Sequence, residues 1–441
     1  MSTEKKQHSI KVPTQYKRVA AVLKTALESK TSLKSLIFNE KHARLPSMQA
    51  VLTRYFDNKG AIDEAIEKSQ ILQDNPRLCP ILCKVLVTEL LLGLKKLNGE
   101  SKPVQTVRAY QDRLAEALGV DTIETNKSEY KKDQKPRYVR INRNLLSIEE
   151  AHEFLASEEW RKKEYPPFEN YDDFLKAIKE LQEDEYMIDM HIDDLLIFHP
   201  KQKHYWANHS YARDNYFMLQ DKGTALVAEL LSPPAGSTVL DMCAAPGMKT
   251  IHVSNVMNNQ GTIYSVELNS ERYKTLCRMT EKAGCKIVTP INADALTITP
   301  EKCPGVEYIL VDPSCSGSGM QNRISVHSEE KDPARLRRLA GLQITMLSHA
   351  MSAFPDVKRI AYSTCSLYEE ENEQVVQRCL QLNPSFKLLS AKKSLRNKWR
   401  NVGSQEYKKI GKNCLYTRPD SDMTDGLFIA IFEAIKTKDN E

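Results

Sequence analysis

The chain has 441 residues, with 63 Lys and Arg against 58 Asp and Glu, a formal net charge of +5. Its 41% hydrophobic and 27% charged residues match a soluble globular protein and exclude bulk disorder, collagen and coiled coil. At roughly 150 residues per domain the length predicts about three domains.

No apolar run approaches the about 18 residues of a membrane span, because ILCKVLVTELLLGL is interrupted by Lys84 and Glu89. The opening MSTEKKQHSIKVP has no apolar targeting core, so the ten cysteines read as reduced, intracellular thiols. A net charge of +5 does not by itself indicate a nucleic-acid binder. Its distribution is more telling: the first 60 residues carry 12 basic and 4 acidic side chains, and the stretch 386–418 carries 10 basic and one acidic, Glu406. The stretch from Ser147 to Asp194 is dense in carboxylates. Basic tracts around an acidic middle suggest a polyanionic partner.

From about Gln15 to Glu116 apolar residues recur at three- and four-residue spacing, broken at Asn75-Pro76, Asn98-Gly99 and Lys102-Pro103, which predicts a helical domain over 1–125. A Lys-rich linker, 126–136, ends at Pro136. RYVRINRNLL then alternates as a strand does, and Ser147 with Glu150 forms a capping-box signature before a helix; 137–210 reads as a small α+β domain. From 211 to 437 short β-branched runs alternate with helical stretches of about a dozen residues, the pattern of an α/β fold with a parallel sheet. GLFIAIFEAI supplies a last buried strand.

The first strand of this α/β part runs into Asp241-Met242-Cys243-Ala244-Ala245-Pro246-Gly247-Met248-Lys249-Thr250. Small residues at a strand-to-helix turn admit a ligand to the backbone, yet neither G-x-G-x-x-G nor a Walker pattern is present. That combination suits a nucleoside without phosphate, such as S-adenosylmethionine. Glu267 at the tip of the second strand is placed for the ribose hydroxyls, and Asp294 after the third for the adenine amino group. The alternative for each acid is a helix N-cap.

The fourth and fifth strands deliver Asp312-Pro313-Ser314-Cys315 and Ser363-Thr364-Cys365-Ser366. Two cysteines at neighbouring strand ends converge where a structural thiol has no packing role. Cys79 and Cys83, four apart in an apolar helix without histidine, read as small buried hydrophobes, and no metal site is expected. A thiol beside a methyl donor suits carbon methylation of a pyrimidine. Carbon-5 of cytosine becomes nucleophilic once a thiolate adds to carbon-6, and the thiol is expelled after a base removes the carbon-5 proton. Asp312 is the candidate for holding the ring at nitrogen-3 and its amino group, and Lys249 for lowering a thiol pKa or contacting the base.

In this order the CAAPGxK, Asp-x-x-Cys-Ser-Gly-x-Gly and Thr-Cys-Ser strings resemble the Nol/Nop/Sun family of RNA (cytosine-5) methyltransferases, in particular the branch of its fifth eukaryotic member, over about Arg137 to Ala434. The resemblance implies a Rossmann-like class I methyltransferase domain, S-adenosylmethionine as cofactor, and a pre-catalytic RNA-binding domain over 137–210. It implies a cofactor site lined by Cys243, Ala244, Ala245, Pro246, Gly247, Met248, Lys249, Glu267, Arg272, Asp294 and Asp312, with Cys365 as nucleophile and Cys315 assisting product release. DNA cytosine methylases use the earlier cysteine as nucleophile, so the presence of Cys365 favours RNA. The family's usual Asp-Ala-Pro-Cys is here Asp312-Pro313-Ser314-Cys315, a mark of the branch. Large-subunit rRNA or a pre-ribosomal particle is the implied partner, with nucleolar location in the nucleus, no membrane, no DNA, and a monomer as the default. The competing reading is an rRNA-binding assembly factor whose catalysis is dispensable.

Overall fold

The segment PILCKVLVTELL is apolar around nearly its whole circumference, and a helix of that kind must be enclosed. In the computed structural model, which describes residues 11–28, 33–38, 45–119, 135–320 and 332–435, this segment is the helix Pro80–Leu91. Helices Thr14–Glu28, Leu45–Asp57, Lys59–Lys68, Lys102–Ala109 and Gln111–Leu118 pack around it. Lys84 reaches outward to Asp63 at 2.7 Å, whereas Glu89 is buried and its carboxyl is pushed up by that burial, against the opposing charge of Arg54. Cys83 is buried, as expected. Cys79 is exposed, because it is the N-cap residue ahead of Pro80 and stands outside the apolar helix. Among the described residues no helix is long and apolar enough to cross a membrane.

The described residues up to 119 form one unit and those from 135 onward a second. Of the Lys-rich linker, 126–134 lie outside the described residues; its end, Lys135, pairs with Asp221 at 2.8 Å and Asp425 at 2.6 Å.

The second unit opens with a small sheet of β1 (Arg137–Ile141), β2 (Arg161–Lys162), β3 (Glu185–Ile188), β4 (Leu195–Phe198) and β5 (Phe217–Met218), in the order β2-β3-β4-β1-β5. Its edge strand β5 therefore lies beyond residue 210. Helix Ile148–Ser157 begins with the capping box read from Ser147 and Glu150. The larger sheet contains β6 (Thr238–Asp241), β7 (Thr262–Val266), β8 (Val288–Ile291), β9 (Tyr308–Val311), β10 (Arg359–Thr364), β11 (Phe386–Leu389), β12 (Leu415–Thr417) and β13 (Leu427–Ala434). The order β11-β13-β10-β9-β6-β7-β8 is parallel from β10 through β8, while β13 runs antiparallel to β10 and β11. Apolar clusters cover both faces, as a parallel sheet requires. Strand β6 lies between β7 and β9, and the switch in strand order opens a crevice at the carboxyl ends of β6 and β9.

A polar joint ties the two sheets together. Arg140, fully buried on β1, donates from Nε to Gln220 Oε1 at 2.7 Å and from Nη1 to Asn255 Oδ1. Asn142 accepts from Asn255 at 3.0 Å and donates to the Asn215 and Ala283 carbonyls at 2.8 and 3.0 Å. Asp194, Glu229 and His252 gather beside Arg140 with one potential ligand atom each within 4.8 Å of the others. The guanidinium, 3.8 Å from Asp194, already supplies the positive charge that these carboxylates balance, and burial holds His252 neutral with a pKa lowered to about 3.

The basic tract 386–418 is partly spent internally. Arg400 pairs with Asp172 at 2.5 Å, Lys398 donates to the Phe168 carbonyl at 2.5 Å, and Lys387 pairs with Glu433 at 3.0 Å. Lys393, Lys408, Lys409 and Lys412 are exposed. Of the N-terminal tract, Lys5, Lys6, Lys30, Lys41 and Arg44 lie outside the described residues.

Lys222, at the start of helix Lys222–Leu231, is wholly buried, 2.6 Å from Asp189 and 4.3 Å from the centre of the Phe174 ring. Burial lowers its pKa, and the charge of Asp189 opposes that shift. Lys222→Met leaves Asp189 buried without its counter-charge and is expected to cost about 3–5 kcal/mol, read from the denaturant midpoint. Lys222→Met combined with Asp189→Asn should recover most of that loss.

Candidate active site

The carboxyl ends of β6, β7 and β8 form the first half of the crevice. After β6 the chain turns through Ala245-Pro246, joined by a cis peptide bond, to Gly247, whose φ of +111° favours a residue without Cβ. Asp241 accepts from Thr250 Oγ1 at 2.7 Å and from the Cys243 N–H at 3.3 Å, and burial pushes its carboxyl up to about 7. Burial also pushes the Cys243 thiol up, which keeps it neutral. Arg272 fastens this turn to the next strand by donating to the Ala245 carbonyl at 2.6 Å and approaching Glu267 Oε2 at 3.3 Å.

Glu267, 5% exposed, has its Oε1 fixed by the Asn269 N–H at 2.8 Å. Asn292 donates to the Glu267 and Leu268 carbonyls at 2.7 and 3.1 Å and so shapes the loop from below. Leu268 is left 68% exposed, an apolar surface beside the carboxylate. Asp294 is exposed and its Oδ1 caps the Leu296 N–H at 3.0 Å, so the N-cap alternative weighed from sequence is what the structure displays. A fixed carboxylate, an exposed leucine and the small Ala244 and Ala245 fit a nucleoside without phosphate.

The second half is built at the ends of β9 and β10. Asp312 stands at the centre, with Lys249 Nζ at 2.6 Å from Oδ2 and Ser363 Oγ donating to Oδ1 at 2.7 Å. Burial works to lower the Lys249 pKa, but Asp312 chiefly, with Asp241 and Cys365 adding, raises it and keeps the ammonium charged. The Sγ atoms of Cys315 and Cys365 are 3.1 Å apart. Contact with Cys365, then burial, pushes the Cys315 thiol far up, so it stays protonated at neutral pH.

Several bonds lock the two cysteine loops together. The Gly319 N–H donates to the Cys365 carbonyl at 3.0 Å, the Leu367 N–H to Ser318 Oγ at 2.9 Å, and Ser316 Oγ to Ser366 Oγ at 3.0 Å. Gly319 also lies against Gly426, where a Cβ would meet the Gly426 carbonyl oxygen at 2.5 Å. Lys249, Asp312, Cys315 and Cys365 are thus gathered in one place, and Cys243–Lys249, Glu267 and Arg272 in an adjoining one. Sequence reasoning missed Ser363, Asn292 and Leu268. Ser363 carried a signal, since it lies two residues before Cys365 on the strand that delivers that cysteine.

Comparison with known proteins identifies the family. Residues 228–433 match the family model described as 16S rRNA methyltransferase RsmB/F, and residues 135–215 the ferredoxin-like domain of NOL1/NOP2/Sun domain family member 5. The chain is 60% identical over 429 residues to the 28S rRNA (cytosine-C(5))-methyltransferase of Drosophila melanogaster, covering 97% of this chain and 98% of that one. It is 33% identical to the Mus musculus protein of the same description, covering 95% and 90%. The crystal structure of PH0851 shares the fold, with a TM-score of 0.62 at 18% identity over 97% of this chain and 100% of that one. With relatives this similar along nearly its whole length, the chain belongs to the Nol/Nop/Sun family of RNA (cytosine-5) methyltransferases, in the branch of its fifth member.

Proposed function

We propose that this protein methylates carbon-5 of a cytosine in large-subunit rRNA, with Cys365 as nucleophile, within a pre-ribosomal particle in the nucleolus. The observation that carries the proposal is the pair of thiols 3.1 Å apart beside the Lys249–Asp312 ion pair. Relatives described as 28S and 25S rRNA (cytosine-C(5))-methyltransferases support the substrate class.

When bound, S-adenosylmethionine supplies an electrophilic methyl group. Glu267 would accept from the ribose hydroxyls, Leu268 would cover an apolar face of the adenine, and Asp294, whose Oδ1 caps the Leu296 N–H, would meet the amino group through Oδ2. The Cys243–Lys249 turn and Arg272 hold that side of the crevice in shape. Asp312, fixed by Ser363 and Lys249, orients the cytosine at nitrogen-3 and the amino group and favours the protonated ring. Cys365 adds to carbon-6 as a thiolate, and the Lys249 ammonium favours that charge. Addition leaves carbon-5 electron-rich and able to attack the cofactor's methyl group, whose bond to sulfur would break with the electron pair staying on sulfur. After water in the crevice takes the carbon-5 proton, the freed electron pair re-forms the carbon-5–carbon-6 double bond and Cys365 leaves as a thiolate, to which the protonated Cys315 beside it donates a hydrogen bond. The thiols lie in a crevice, so the target base must leave its stack, and single-stranded or locally opened rRNA is the form that fits.

Four outcomes test this reading. Cys365→Ala should abolish methyl transfer while leaving S-adenosylmethionine binding intact, as measured by calorimetry; retained transfer refutes the nucleophile. Cys315→Ala should accumulate a covalent RNA adduct, visible as a slow band on a denaturing gel. RNA affinity should fall steeply with salt through phosphate contacts of the exposed lysines, while S-adenosylmethionine affinity stays nearly level. Bisulfite sequencing of rRNA from cells with and without the protein identifies the substrate, and an unchanged methylation pattern would overturn the rRNA assignment.

A further inference from the structure

The two cysteine loops are gripped from beneath by two adjacent residues that the mechanism has not used. Glu371 and Asn372 follow β10 in a turn and are both fully buried, a costly position for a carboxylate and an amide. Glu371 Oε1 accepts from the Ser316 N–H at 2.8 Å and from Gln343 Nε2 at 3.0 Å. The same Gln343 amide, on helix Pro333–Ser352, donates to the Ser314 carbonyl at 3.1 Å. Ser314 and Ser316 are the two neighbours of Cys315, so its loop is clamped on either side.

Asn372 does the same for the other thiol. Its Oδ1 accepts from Thr364 Oγ1 at 2.6 Å and its Nδ2 donates to the Ser366 carbonyl at 2.9 Å, so both neighbours of Cys365 are held. The dipeptide is itself anchored. Tyr362 Oη donates to the Glu371 carbonyl at 2.6 Å, and Asn372 Nδ2 donates to Tyr416 Oη at 3.0 Å, which in turn donates to Glu373 Oε2 at 2.9 Å.

We propose that Glu371 and Asn372 are positioning residues that set the two thiols against each other, Glu371 with Gln343 governing product release through Cys315 and Asn372 governing addition through Cys365. The anchors of the two loops are consecutive in the chain, so the spacing of the sulfurs is fixed by a single turn. The inference rests on the roles proposed above for Cys365 and Cys315, and it divides the reaction into two steps that can be disturbed separately. A displacement of about 1 Å in a reacting group can cost about a hundredfold in rate.

The test is single-turnover methylation of an rRNA fragment, with adduct formation and release followed separately on denaturing gels and S-adenosylmethionine binding measured alongside. Glu371→Ala should slow release about a hundredfold and accumulate adduct, with formation changed by no more than about threefold. Asn372→Ala should show the reverse, formation about a hundredfold slower and no accumulation. Glu371→Gln keeps an oxygen for the Ser316 N–H and should restore release. If Glu371→Ala fails to bind cofactor, Gln343→Met, close in shape but without the Ser314 bond, replaces it and should accumulate adduct.

Equal slowing of both steps in the Glu371 and Asn372 variants would overturn the proposal, as would normal release in Gln343→Met. Cys315→Ala is run in parallel. If it traps adduct and the Glu371 and Gln343 variants do not, the positioning role fails alone; if it traps none, the release role of Cys315 fails with it.

Discussion

The register of β9 against β10, with Val311 opposite Tyr362, decides where both thiols end up. One residue further along, Asp312 and Ser363 meet side by side and share a hydrogen bond of 2.7 Å. Beyond them the chains part, reaching Cys315 in three residues and Cys365 in two. A slip of one residue would turn alternate side chains to the opposite face of the sheet and separate the sulfurs. On its other edge β9 pairs with β6, whose following turn brings Lys249 to Asp312. The parallel sheet therefore acts as the ruler for a candidate site whose two thiols and Asp312 stand on loops.

Charge is balanced locally throughout this unit. Lys249 is matched by Asp312, Lys222 by Asp189, and Arg140 by Asp194 with Glu229 nearby. Each pair is buried or partly buried, where an unmatched charge would be expensive. The pairs serve different ends. That of Lys222 sits in an aromatic surround and joins the small sheet to the C-terminal segment carrying Trp399, whereas that of Lys249 keeps a cation beside a thiol. The neutral Cys315 and the charged Lys249 both lie beside Cys365, and in the proposed mechanism one serves the departing sulfur and the other the attacking one.

Much of the site was legible because its parts lie at strand ends, and strand ends are marked in sequence by β-branched runs giving way to small or acidic residues. The turn from Cys243 to Lys249, Glu267, Asp312 and both cysteines were singled out in this way, and the structure brings them to one crevice. Asp294 was placed correctly at a strand end, but a local carboxylate can serve the nearest N–H as readily as a ligand, and its observed bond is the cap. Cys79 was misread because the proline after it, which begins the helix, also ends the apolar environment. Ser363, Gln343 and Glu371 escaped notice because their partners belong to other segments of the chain and follow from register and packing, and Asn372 because a turn that folds back onto Thr364 and Ser366 leaves no periodic mark in the sequence. The basic tract looked free in sequence because its acidic partners, Asp172 for Arg400 and Glu433 for Lys387, lie outside the tract.

The joint at Arg140 bears on how conformational work is divided between enzyme and substrate. A desolvated guanidinium bonded to Gln220 and Asn255, with Asn142 completing the contact, cannot part from its partners without leaving several buried polar groups unmatched. The small sheet and the large sheet are consequently held as one stiff surface. Any bending or unstacking needed to present a cytosine has to occur in the nucleic acid, so the enzyme should prefer RNA that is already open and lose its grip once that RNA is buried in finished structure.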